Sequence, residues 1–169
     1  GDFPSTAKNG LTHLLLDLVE KQYVSGWASV ARELQRIGRL NPVEYNTGSV
    51  SANRKARSDA EESLSAISWE RVFDFCERLY SHLACEVGFT WNDEYTLTTG
   101  KGEVQAYIAD ELQRLFLEEG LAFEFAEGVV RRRGRKHSTE MTARAQVVLG
   151  DPRLAAARNL IERHIDGLV

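Results

Sequence analysis

Between Ser68 and Leu83 an apolar side chain returns every three or four residues: Trp69, Val72, Phe73, Cys76, Leu79, Tyr80 and Leu83. An α-helix turns once every 3.6 residues, so this spacing gathers all seven on one face. The face is wide and aromatic. A helix of this kind belongs at the centre of a core, with other elements laid against it. Ser68 is a suitable N-cap.

Three further stripes supply the covering elements. Leu11, Leu14, Leu15, Leu18 and Val19 predict a first helix, with Asn9 or Thr12 at its start. Trp27, Val30, Ala31, Leu34 and Ile37 predict a second helix after Ser25-Gly26, stopped at Gly38. These two read as a helical hairpin over residues 1–40. Val104, Tyr107, Ile108, Leu112, Leu115 and Phe116 predict a helix from Gly102 to Glu119, ended by Gly120. Leu121, Phe123 and Phe125 then alternate with Ala122, Glu124 and Ala126. With the turn signal Glu127-Gly128 and the return Val129-Val130-Arg131, they predict one small β-hairpin near residues 121–131.

Between these elements the pattern fades. Residues 41–66 read as a flexible connection rich in Asn, Ser and charge, with a helical turn from Ser58 to Leu64. Val87 to Leu97 reads as irregular, with a turn at Asn92-Asp93. Residues 67–150 form the core region, closed by a helix from Ser138 to Leu149. Gly150-Asp151-Pro152 breaks that helix, and a last one covers 151–169. The expected fold class is α+β, mainly α.

With 43% hydrophobic and 27% charged residues, the 169-residue chain can bury a core, which excludes general disorder. Its apolar runs fall short of the ~20 residues a membrane helix needs, and it shows no secretory leader. Cys76 and Cys85 stand nine positions apart with no CxxC pair or histidine cluster, so no zinc site and no disulfide framework is expected. A reduced cytoplasmic protein without metal or cofactor is the expectation.

The net charge of −4 hides a segregation. Asp110, Glu111, Glu118, Glu119, Glu124 and Glu127 come first; Arg131, Arg132, Arg133, Arg135 and Lys136 then crowd into six positions. Guanidinium groups suit bidentate phosphate contacts, so this cluster is the candidate nucleic-acid-binding element, for RNA or DNA. Nothing aromatic interleaves with it, so base stacking is not indicated. The competing reading is a solvated loop balanced by the preceding acids.

Other constellations are weaker. Residues 27–38 resemble the first helix of a helix-turn-helix, but no second helix follows at the usual distance; Arg54, Lys55 and Arg57 would have to serve on a displaced one. His13 and His82 lack triad partners. Asp110-Glu111 and Glu118-Glu119 are adjacent pairs that diverge by about 100° on a helix. Gly100-Lys101-Gly102 lacks the context of a phosphate loop.

Three blocks carry a family likeness: Ile67–Tyr80, Phe116–Arg131 and Leu149–Arg158. In order and spacing, around Trp69, Gly120 and Gly128, they resemble an N-terminal domain of AbiJ-like abortive-infection proteins. The resemblance implies a bacterial antiphage module that senses an invader and precedes a HEPN effector domain. Arg158, Asn159 and His164 are similar to the Arg–polar–His signature of HEPN ribonucleases, where His does acid–base work and Arg steadies phosphate across a dimer. Arg158 and His164, six apart, sit about 120° from one another on a helix. The chain ends where the HEPN bundle would begin, so 151–169 would be its opening helix. Three readings follow: a non-enzymatic sensing or regulatory module that binds nucleic acid; a metal-independent RNase acting as a homodimer through Arg158, Asn159 and His164; and an interaction module that controls a partner effector.

Overall fold

The structure is a computed structural model and describes residues 3–91 and 95–134. Its elements run α1 (Ser5–Glu20), α2 (Trp27–Gly38), α3 (Val50–Ala66), α4 (Trp69–Arg78), a π-helical turn (Leu79–Leu83), β1 (Val87–Trp91), β2 (Tyr95–Thr99), α5 (Lys101–Glu118), β3 (Phe123–Ala126) and β4 (Val129–Arg132). All belong to one unit that ends at Arg132. The fold is α+β and mainly helical, with two antiparallel strand pairs rather than the single hairpin expected. The segments expected as helices over 138–149 and 151–169 lie outside the described residues.

α4 takes the central place its stripe requires. Val72, Phe75, Cys76 and Leu79 are wholly buried, and Phe73 is nearly so. The Phe73 ring meets Phe123 (4.7 Å between centroids), Phe3 and Trp69 (5.6 Å each) and Phe116 (5.7 Å). One side chain thus joins the N-terminus, α5 and β3, and edge-on or tilted contacts of this kind add to area burial. Burial also drives the Cys76 thiol pKa far up, so it stays a protonated apolar filler.

α1 begins at Ser5, with Pro4 before it, and not at Asn9 or Thr12. Its inward face is Ala7, Leu11, Leu14, Leu15 and Leu18, and it packs on α5 and α3. Gly10 of α1 faces α5 at close range: a Cβ there would run into the Leu115 side chain. α2 spans Trp27–Gly38 as expected, but the left-handed residue that ends it is Arg39 (φ 55°), not Gly38. A Cβ at Gly38 would come within 3.3 Å of Leu40 and 3.4 Å of Ile67, so that glycine serves close packing.

The segment expected as a flexible connection differs most. Residues 50–66 form the 17-residue helix α3, the main partner of α2, so α1 and α2 do not pair as a simple hairpin. The buried face of α3 is made of Ala56, Ala60, Ser63 and Leu64. Small side chains carry little hydropathy signal, yet they let two helix backbones draw together. Ser49 caps the helix by accepting from Ala52 N–H, and Lys55–Asp59 and Arg57–Glu61 pairs at i, i+4 line its outer face. The loop before it is tied down. Val43 N–H donates to Gln35 Oε1, Gln35 Nε2 to Tyr45 Oη (2.7 Å), and Tyr45 Oη to Asp59 Oδ2 (2.7 Å).

β1 and β2 form the second ladder, Val87 opposite Thr99 through Trp91 opposite Tyr95. This was expected as irregular chain; the turn foreseen at Asn92-Asp93 lies outside the described residues. β3 and β4 form the foreseen hairpin, Phe123 opposite Arg132 through Ala126 opposite Val129. Glu127 (φ 55°) and Gly128 (φ 81°) both take the left-handed region, as a two-residue type I′ turn demands.

Candidate nucleic-acid interface

The hairpin that carries the basic cluster is braced from both sides. In the ladder, Phe125 and Val130 oppose each other as the pair whose amides point outward. Phe125 N–H is received by Gln113 Oε1 of α5 at 2.8 Å, and Val130 N–H by Glu77 Oε1 of α4 at 2.8 Å. Each exposed edge of a two-stranded sheet thus ends on a helix side chain. Phe125 fills the core, and its ring meets Tyr80 of the π-helical turn at 5.6 Å. That turn frees the Tyr80 carbonyl, which Gln105 Nε2 satisfies at 3.1 Å.

On this base β4 presents its arginines in alternation. Arg131 lies across from Glu124 and pairs with it, Nε to Oε1 at 2.8 Å; Arg132 lies across from Phe123 on the other face. Both are exposed, and Arg133 is partly buried. An exposed pair such as Arg131–Glu124 holds its partner weakly, at most about 1 kcal/mol, so a phosphate can displace the carboxylate. Arg135 and Lys136 lie outside the described residues, as do Arg158, Asn159 and His164. The structure therefore places Arg131 and Arg132 on one strand but on opposite faces.

A second basic feature escapes a reading by eye along the chain. The C-terminal half of α2 and the outer face of α4 enclose a cleft of about 460 Å³, lined by Arg36, Ile37, Arg39, Arg71, Asp74, Glu77 and Arg78. Two of its arginines are held in place. Arg71 donates to the Ile37 carbonyl at the end of α2, and Arg78 pairs with Glu33, whose side chain is only 11% exposed. Arg36 and Arg39 are exposed and form no ion pair with any described residue. Part of the signal was present: Arg71 and Arg78 are seven apart, a spacing that keeps them on one face of a helix, whereas Arg39 lies past the end of α2 on a left-handed backbone. Only the packing of α2 on α4 brings the two pairs together.

The remaining constellations have structural uses. Between α1 and α5 a groove of about 400 Å³ holds His13, Asp17, Tyr107, Glu111 and Arg114. Tyr107 Oη donates to Asp17 Oδ2 at 2.6 Å, and Lys21 Nζ to Asp17 Oδ1 at 2.5 Å. Burial alone would raise the Asp17 carboxyl, but these bonds outweigh it and hold it below its ordinary value. The bond to Asp17, then burial, pushes the Tyr107 phenol up, so it is a locked donor rather than a base. Asp110-Glu111 and Glu118-Glu119 diverge on α5, and Glu111 is taken by Arg114. His82 Nδ1 meets Ser81 Oγ at 2.6 Å, but Ser81 also bonds the Glu77 carbonyl and both side chains are exposed. Lys55 and Arg57 of α3 pair with Asp59 and Glu61 on its outer face. Among the described residues no three His, Cys, Asp or Glu converge as metal ligands, and no helix is long and apolar enough to cross a membrane.

Comparison with protein-family models, with curated proteins and with solved structures gives no match.

Proposed function

We propose that this chain is a non-enzymatic sensing or regulatory module that contacts the phosphate backbone of a nucleic acid through the arginines of β4. The observation that carries the reading is the bracing of β4. Glu77 holds β4 and Gln113 holds its partner β3, and Arg131 and Arg132 of β4 project into solvent, one on each face. A strand held this way offers cations at little entropic cost on binding. Arg133, Arg135 and Lys136 extend the run of positive charge along the chain. The likeness of Ile67–Tyr80, Phe116–Arg131 and Leu149–Arg158 to AbiJ-like proteins supports a place in a cytoplasmic antiphage system, with a HEPN effector as the partner controlled.

The test is binding of the full chain to labelled RNA and DNA oligonucleotides across a salt series, beside Arg131→Ala/Arg132→Ala/Arg133→Ala. The expected result is salt-steep binding that the triple variant loses, with the RNA recovered intact. Cleaved RNA, with cleavage abolished by His164→Ala, replaces this reading with the RNase one. Absence of binding even at low salt refutes it and leaves a protein or small-molecule trigger.

A further inference from the structure

We propose that the α2–α4 cleft is a second phosphodiester-binding surface, continuous with β4, so that a nucleic-acid strand runs from Arg36 and Arg39, past Arg71 and Arg78, onto β4. The inference rests on the nucleic-acid reading of β4 and gives it a path and a footprint.

Continuity comes from Glu77. Its side chain lines the cleft, and the same carboxylate accepts the Val130 amide of β4. The strand is therefore the neighbour of the cleft, and the residue after Val130 is Arg131. Without that contact, the cleft and the hairpin would be two unrelated basic spots.

The chemistry of the lining sets the class of ligand. Four arginines line the cleft with Asp74 and Glu77, and Glu33 pairs with Arg78, so four positive charges stand against three negative ones. Arg71 and Arg78 each spend one N–H on the protein, leaving further donors of each fork for a ligand. Arg36 and Arg39 are exposed and pair with no acid among the described residues. No aromatic ring lines the cleft, and Ile37 is its only large apolar group, so nothing there would hold a base. A ligand recognised by spaced negative charge and not by base identity is a phosphodiester backbone. Arg39 adds a conformational mark: it holds a left-handed backbone at φ 55°, which an arginine adopts only at a cost of about 1 kcal/mol. That geometry turns the chain at the end of α2 with Arg39 beside the cleft.

Asp74 makes the proposal sharp. It is exposed, it lines the cleft, and it has no ion-pair partner among the described residues. A strand passing through the cleft must approach this carboxylate, so removing its charge should improve binding.

The experiment uses the full chain, a labelled RNA oligonucleotide and the DNA oligonucleotide of the same sequence, each titrated across a salt series. The variants are Arg36→Gln/Arg39→Gln, Asp74→Asn and Arg131→Ala/Arg132→Ala, with thermal melts as a check on folding. A phosphate contact on a single strand contributes about 0.7 to the log–log salt slope, so the cleft variant should lower the slope by about 1.4 and weaken binding roughly tenfold near 0.1 M salt. Asp74→Asn should tighten binding a few-fold at low salt. Either RNA or DNA as the preferred strand fits, and the two arms decide between them. If the β4 variant weakens binding while the cleft variant keeps the wild-type slope, the cleft proposal fails and the β4 reading stands. If the cleft variant weakens binding and the β4 variant does not, the path onto β4 is refuted together with the β4 reading. If the wild-type chain binds neither strand, both fall.

Discussion

The hydrogen bond from Phe125 N–H to Gln113 Oε1 offers a stringent test of how the hairpin is held. Phe125 is 4% exposed, and removing the glutamine leaves its amide without this acceptor. Gln113→Met keeps the length of the side chain and removes a good acceptor. An unpaired buried N–H costs about 1–3 kcal/mol. The unit that contains it ends at Arg132, and for a domain of that size 1 kcal/mol moves Tm by about 3–5 °C, so the expected loss is about 3–15 °C. Gln113→Glu is the counterpart. A carboxylate accepts the same N–H, and Asp110 three residues earlier opposes it only weakly, so stability should return to within about 0.5 kcal/mol of wild type. Thermal melts followed by far-UV circular dichroism measure both. Amide exchange at Phe125 should quicken in the Met variant and stay protected in the Glu variant. A Met variant that melts with wild type, or a Glu variant that falls as far as Met, would show that the amide is satisfied some other way and that Gln113 does not brace the strand.

Three further expectations follow from other parts of the fold. Gly128→Ala should cost about 1–3 kcal/mol in urea unfolding, because φ is 81° there and the new Cβ would lie 2.8 Å from Tyr80 Cε1; no change would mean that the turn relaxes away from Tyr80. The Lys55 ammonium, then the Tyr45 hydroxyl, hold the Asp59 carboxyl below its ordinary value. Its contribution to stability is therefore present above the unfolded carboxyl pKa of about 3.9 and fades as pH falls through the lower folded value; wild type should exceed Asp59→Asn at neutral pH and converge with it in acid, and a gap that widens in acid would reverse the sign. Cys76, fully buried and with its thiol pKa pushed far up, should resist alkylation until the chain unfolds, whereas modification at the unfolding-independent rate would contradict its burial.

What the sequence reveals depends on how each element earns its place. α1, α2, α4 and α5 each carry large apolar residues at helical spacing, and each was legible as a helix. α3 was not, because its buried face is Ala56, Ala60 and Ser63, which contribute through close approach rather than through hydropathy. The first hairpin had a signal in Phe89, Trp91, Tyr95 and Leu97, which alternate along the two strands; the polar residues between them masked the period. The second hairpin was legible because its turn chemistry is local: Gly128 supplies the left-handed residue on the spot. The basic run of β4 was visible as a run, but its alternation across two faces is a property of the strand. The cleft depends on residues 36 and 71 meeting, and no local pattern states that.

The cleft also runs against what folding alone would select. Packing four arginines around one opening sets like charges against each other, and the core gains nothing from Arg36 or Arg39, which touch no acid among the described residues. The neighbouring groups limit this repulsion without removing it. Glu33 neutralises Arg78, the Ile37 carbonyl steadies Arg71, and Asp74 lines the same cleft. A structural salt-bridge network would be expected to pair its members, whereas here two cations stay open and one of them sits on a left-handed backbone. Places where a chain departs from its own local rules are where function is sought first. The same argument does not favour the α1–α5 groove, where Tyr107, Lys21 and Asp17 satisfy one another and leave little to offer a ligand.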